Sequence, residues 1–173
     1  MARFARIACV LALLGATVPV PAAPPKPTTV SCDLPNFGTV APGIYRGAAP
    51  TTAGLKRLKE MGVRTIIDLR IERKGQAEEA QAAQQLGLER IRIPLGREAP
   101  TKKQVATFLA TLDKAPGRPV FVHCQWGADR TGAMIGIYRV QRQHWPFDRT
   151  WTEMRHYGFK PFLTELKNSV KNP

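Results

Sequence analysis

Acidic residues are in short supply. The 173-residue chain carries 13 Asp and Glu against 26 Lys and Arg, a net charge of +13. Such a surface attracts anions: phosphorylated compounds, anionic lipid or nucleic acid. A second shortage argues against the last, because no helix-turn-helix, zinc-finger or aromatic RNA-binding pattern is present. We therefore expect no nucleic-acid partner. Histidine and cysteine are scarce too, with three of each. His123 adjoins Cys124 and reads as a prop for the loop that follows, whereas His144 and His156 read as helix-surface or packing residues. The three histidines are thus poor candidates for a metal site, and we expect no metal and no other cofactor. There is no internal repeat, and the apolar run near the start falls short of the ~20 residues that span a bilayer.

That run belongs to a leader. Arg3 and Arg6 precede 12 apolar residues, Ile7 to Val18, and Val20-Pro21-Ala22 offers a cleavage site before Ala23. Residues 1–22 read as a secretory signal peptide, with an uncleaved N-terminal anchor as the alternative. Cleavage would remove Cys9 and leave no stable membrane insertion. Residues 23–38 are rich in Pro and Thr and read as a tether. Residues 39–173 read as one domain. Cys32 and Cys124 remain, either as a reversible redox pair or with Cys32 standing free on the tether.

The domain alternates strands and helices. Thr39 to Ala48 predicts an opening strand or hairpin. Thr51 or Thr52 caps a helix over 53–61, stopped by Gly62. Strands at 63–69 and 88–93 flank a helix over 77–86. Thr101 caps a helix over 102–113, with Val105, Phe108, Leu109 and Leu112 as its apolar stripe. A strand at 120–123 precedes helices at 131–143, 147–157 and 162–168. This alternation predicts an α/β fold, a mostly parallel central sheet flanked by helices on both faces. Ligands in such folds sit beyond the carboxyl ends of the strands. Asp68-Leu69-Arg70, the loop after Ile93, and Cys124 therefore share one edge.

The stretch Val120-Phe121-Val122-His123-Cys124-Gln125-Trp126-Gly127-Ala128-Asp129-Arg130-Thr131-Gly132 organises the rest. It reads as strand, tight loop, helix, the helix beginning at Arg130 or Thr131. The loop N–H groups form an anion-binding nest, and the positive end of the helix faces the same point. That setting favours the thiolate of Cys124, a nucleophile. Arg130 returns over the mouth, its planar fork matched to two phosphate oxygens.

Cys124, five residues and Arg130, followed by Thr131 and preceded by His123, resemble the signature of the cysteine-dependent protein tyrosine and dual-specificity phosphatases. The wording His-Cys-Gln-x-Gly-Ala-Asp-Arg-Thr-Gly is similar to a bacterial dual-specificity-like subgroup. Gly43-Ile44-Tyr45-Arg46-Gly47, Thr65 to Arg70, Ile93-Pro94-Leu95 and Glu153 to Phe159 extend the resemblance over roughly Thr39 to Leu166. It implies a dual-specificity-phosphatase-like fold and hydrolysis of phosphate monoesters through a cysteinyl-phosphate. Cys124 would be the nucleophile. The N–H groups of Gln125, Trp126, Gly127, Ala128, Asp129 and Arg130 and the Arg130 guanidinium would hold the phosphoryl oxygens, and the Thr131 hydroxyl would assist the departing sulfur.

The family's general-acid Asp has no counterpart in Pro94-Leu95-Gly96-Arg97-Glu98-Ala99-Pro100. Asp129 and Glu98 remain as candidates, with Asp68 a weaker third that reads as a structural partner of Arg70. Trp126 at the rim suits a phosphotyrosine ring, so a phosphorylated protein or a small phosphate monoester is the expected partner. Neutral Gln125 and Ala128 and acidic Asp129 disfavour densely phosphorylated inositols, although Arg70, Arg73, Lys74 and Arg97 near the mouth could supply charge. A phosphoinositide or inositol-phosphate phosphatase is therefore the alternative. A rhodanese-type sulfurtransferase would not need Arg130 and Thr131, and a non-catalytic phospho-binding module would not need Cys124. With the leader, the resemblance implies export to a bacterial periplasm.

Overall fold

The computed structural model describes residues 32–173. The leader and residues 23–31 of the tether lie outside the described residues. Among the described residues eleven elements follow in order: β1 (Gly38–Ala41), β2 (Ile44–Ala48), α1 (Thr52–Glu60), β3 (Thr65–Asp68), α2 (Gln76–Gln85), β4 (Glu89–Arg92), α3 (Lys102–Leu112), β5 (Val120–Cys124), α4 (Asp129–Gln143), α5 (Phe147–His156) and α6 (Thr164–Lys171). The helix starts follow local chemistry. Thr51 Oγ1 accepts the Gly54 N–H at 3.1 Å. Thr101 and Gln104 form a reciprocal capping box, each side chain taking the other's backbone N–H. Two helices differ from the sequence expectation. The first, α4, begins at Asp129. The second, α6, begins at Thr164, because residues 160–163 form a turn closed by Leu163 N–H on the Lys160 carbonyl at 3.1 Å.

The sheet runs β1-β2-β5-β3-β4. Only the β1–β2 hairpin is antiparallel; β2–β5, β5–β3 and β3–β4 are parallel. This is the mostly parallel sheet expected. One face buries Leu55, Leu58, Val63, Ile66, Ala82 and Phe121 beneath α1 and α2. The other buries Ile67, Val122, Phe108, Met134, Ile135 and Leu166 beneath α3, α4 and α6. Central β5 is buried along its whole length, as a strand covered on both faces must be.

The end of the tether needs correction. Asp33 to Phe37 is packed on the domain. Leu34 is 1% exposed in the α1–α2 core. The Ala48 N–H donates to the Pro35 carbonyl at 2.8 Å, and the Thr51 N–H to that of Asp33 at 3.1 Å. A segment with few periodic residues hid one deep apolar anchor. Among the described residues, no helix is long and apolar enough to cross a membrane. Cys32, exposed, and Cys124, buried, are both free.

Candidate active site

Cys124 ends β5 and is 2% exposed. Side chains alternate along a strand, so Cys124 and Val122 face α4 while His123 and Phe121 face α2. The loop then turns through Gln125–Ala128 into α4. Its four carbonyls are each held by a separate donor. The Ala49 N–H bonds Gln125 O at 3.3 Å, and Asn36 Nδ2 bonds Trp126 O at 3.0 Å. Arg46 Nη2 bonds Gly127 O at 2.9 Å, and the Gly132 N–H bonds Ala128 O at 2.8 Å. A trans peptide sets its N–H opposite its C=O, and no peptide among the described residues is cis. The N–H groups of Trp126, Gly127, Ala128 and Asp129 are thereby turned to the other side of the loop, as an anion nest requires. Gly127 has φ +67°, and a Cβ there would stand 2.4 Å from the carbonyl carbon of Gly47. Backbone crowding and left-handed geometry both demand glycine.

A cleft of about 440 Å³ opens over this loop. Trp126, Asp129 and Arg130 line it from the loop side, Glu98 from the loop after β4, and Glu72 from the loop after β3. The carboxyl ends of three neighbouring strands thus meet at one site. Trp126 is 69% exposed at the rim. Both acid candidates face the cleft, differently held. Asp129, first residue of α4, accepts the Lys160 N–H on Oδ1 at 2.8 Å. Glu98 folds back over Gly96, where a Cβ would lie 2.1 Å from its Oε2. Thr131 is fully buried, and its hydroxyl has no partner among the described residues.

Sequence reasoning missed Glu72. Its carboxylate takes both terminal nitrogens of Arg130, at 2.7 and 2.9 Å. The hydrogen bonds from Arg130 hold the Glu72 carboxyl below the usual carboxylate range. The pairing keeps the Arg130 fork at the cleft before any ligand arrives.

Behind the loop lies a buried ionic network. Arg70 Nε and Nη2 bond Asp68 at 2.9 and 3.1 Å, and Nη2 also bonds Glu79 at 2.6 Å. Arg90 bonds Glu79 at 2.9 Å and also Asp68. His123 Nδ1 lies 3.3 Å from the Cys124 carbonyl, and Nε2 lies 3.3 Å from Glu79 Oε1, near enough for an ion pair though off line for a good hydrogen bond. Burial alone would raise the Asp68 and Glu79 carboxyls. The hydrogen bonds and charge of Arg70, together with the nearby His123 ring, outweigh it and lower both. Asp68 is therefore structural, as its strand-end position suggested. Arg70, expected near the mouth, is instead buried at 3% exposure and committed to these carboxylates. Asp68, Glu79 and His123 cluster closely enough to hold a metal ion, but the two carboxylates are already neutralised by two arginines.

Comparison with known proteins agrees with this geometry. The chain is 28% identical over 125 residues to the dual specificity protein phosphatase TpbA of Pseudomonas aeruginosa, covering 72% of this chain and 55% of that protein. It is 31% identical over 108 residues to the inositol diphosphatase DSP3 of Arabidopsis thaliana, covering 60% and 53%. The chain thus spans about half the length of these curated relatives. The crystal structure of P. aeruginosa TpbA in complex with phosphotyrosine superposes with a TM-score of 0.68 at 22% identity, over 84% of this chain and 88% of that one. At that identity the likeness speaks for the fold alone. The family model described as a DSP-PTPase phosphatase fused to NAD+ kinase matches residues 32–171, nearly the whole described chain, and the protein belongs to that family.

Proposed function

We propose that the protein is a cysteine-dependent phosphatase that hydrolyses phosphate monoesters, phosphotyrosine-type protein substrates above all. The observation that carries this reading is the loop of four outward-held carbonyls between Cys124 and Arg130. In the first step the Cys124 thiolate attacks phosphorus in line. The P–O bond to the leaving group breaks, and Asp129 or Glu98 protonates the departing oxygen. In the second step water attacks the cysteinyl-phosphate, the same carboxylate takes its proton, and the thiolate leaves with the Thr131 hydroxyl donating to sulfur. The loop N–H groups and Arg130 stabilise the charge on the equatorial oxygens throughout. Trp126 at the rim offers a flat face for an aromatic leaving group.

Of the two acid candidates we favour Asp129, which its bond from the Lys160 N–H holds beside Arg130. One experiment tests both the activity and the acid. Purified protein in chelator should hydrolyse an activated aryl phosphate and a phosphotyrosine peptide, with vanadate inhibiting. Asp129→Asn should lose ~10²–10⁴-fold in kcat on a poor leaving group such as phenyl phosphate, and far less on the activated ester. Glu98→Gln showing that pattern instead reverses the assignment. No turnover by the wild-type chain on any phosphate monoester refutes the function.

A second reading, an inositol-phosphate phosphatase, draws on one specific feature. A recess beside the cleft is lined by Arg73 and Arg92, and by an Arg90 already held by Asp68 and Glu79, and Ile71 walls both spaces. The name of the Arabidopsis relative points the same way. Comparing kcat/KM on phosphotyrosine peptides and inositol phosphates decides between them. We further propose export to a bacterial periplasm on the strength of the leader. An envelope-fraction chain whose mass begins at Ala23 supports this, and a cytosolic chain beginning at Met1 overturns it.

A further inference from the structure

Arg46 on β2 is paired in register with Val122, and its guanidinium reaches the α4 side of the sheet, 3.9 Å from where a Cβ on Gly132 would lie. It is completely buried. Besides the bond from Nη2 to the Gly127 carbonyl, it lies flat against Tyr157, its Cζ 3.7 Å from the ring centroid. Its Nε and Nη1 have no hydrogen-bond partner among the described residues. Nor does a carboxylate among the described residues pair with it. Glu153 is the carboxylate that acts on it most strongly, yet Arg139 already takes both Glu153 oxygens, at 2.8 and 2.5 Å. Burial pulls the Arg46 pKa down to about 10, with Glu153, Tyr157 and Cys124 opposing the fall. The group is therefore cationic at neutral pH.

One positive charge thus stands directly behind the loop without an ion-pair partner of its own among the described residues. Burying an unpaired ion is costly, and a protein that only needed the Gly127 carbonyl satisfied could do so with a neutral donor. Two anions belong to the other side of that loop if the phosphatase reading holds, on which this inference rests: the Cys124 thiolate and the phosphoryl dianion. We propose that Arg46 is a positioning residue that holds the Gly127 carbonyl away from the site and supplies a fixed counter-charge behind it, so that the loop prefers doubly charged over singly charged oxyanions.

Tungstate and perrhenate separate charge from shape, since both are tetrahedral and of similar size but carry two charges and one. Their binding to wild type, Arg46→Met, Arg46→Gln and Arg46→Lys is measured by calorimetry at mildly alkaline pH, with thermal melts alongside. Arg46→Met should lose about tenfold more tungstate affinity than perrhenate affinity. Arg46→Gln, which keeps a donor for Gly127 but no charge, should lose the same preference, and Arg46→Lys should regain part of it. If Arg46→Met does not fold, the Gln and Lys variants carry the comparison. Equal loss of both anions with Lys no better than Gln would mean a purely structural side chain. Unchanged affinities in every variant would also overturn the inference while leaving the phosphatase reading intact. A wild-type chain that binds neither anion would overturn the phosphate site itself and the inference with it.

Discussion

Cys124→Ser should reduce turnover of any phosphate monoester to background, a loss of at least about 10⁴-fold, while the melting temperature stays near that of wild type. The change swaps one buried atom at the end of β5, leaves every loop carbonyl with its donor and keeps Arg130 in place. It removes the nucleophile. A serine hydroxyl needs a base to take its proton, and the cleft carboxylate is protonated in that step because it serves as the general acid. His123 points to the opposite sheet face, between the Cys124 carbonyl and Glu79. Asp68 and Glu79 are spent on Arg70 and Arg90. The Ser variant should still bind vanadate or phosphate, because binding rests on the loop and not on sulfur. Turnover within about a hundredfold of wild type would place the nucleophile elsewhere.

Arg130→Ala should cost about 10³-fold in kcat/KM. The guanidinium lies at 12% side-chain exposure above the loop and donates two parallel hydrogen bonds to Glu72. Planar fork donation is what a phosphoryl group with charge spread over three equatorial oxygens requires. Arg130→Lys keeps the charge without the fork and should recover only part of the loss. The Ala variant also leaves the Glu72 carboxylate, 44% exposed, facing the cleft without its ion-pair partner. That adds repulsion toward an anionic substrate, so KM should rise together with the fall in kcat. Glu72→Gln in the Arg130→Ala background should then lower KM again without restoring kcat. A double variant with KM unchanged would mean that Glu72 has no electrostatic share in the site. Arg130→Ala within about tenfold of wild type would remove Arg130 from the chemistry.

The contrast between Arg130 and Glu72 runs through the whole molecule. The alternation of elements, a capped start of α1 at Thr51 or Thr52 and of α3 at Thr101, and the strand-loop-helix unit holding Cys124 and Arg130 were all legible in the residues alone. Each of these depends on side-chain periodicity, a cap three residues away or a spacing within one turn, all of which are local. Even there the start of α4 and the bounds of α6 shifted by a few residues, since turns at helix ends answer to their tertiary neighbours. What surrounds the loop came from long-range packing. Glu72 meets Arg130 across 58 residues, Arg46 meets Gly127 across 81, and Asn36 meets Trp126 across 90. Those meetings follow from the strand order, which seats β5 between β2 and β3. Hydrophobic pattern states that a strand is buried but not which strand lies beside it. The partner of a buried charge is therefore illegible until the sheet is assembled: Arg46 read only as one residue of the stretch Gly43 to Gly47, Asp33 to Phe37 as the end of a tether, and Arg70 as a charge near the mouth.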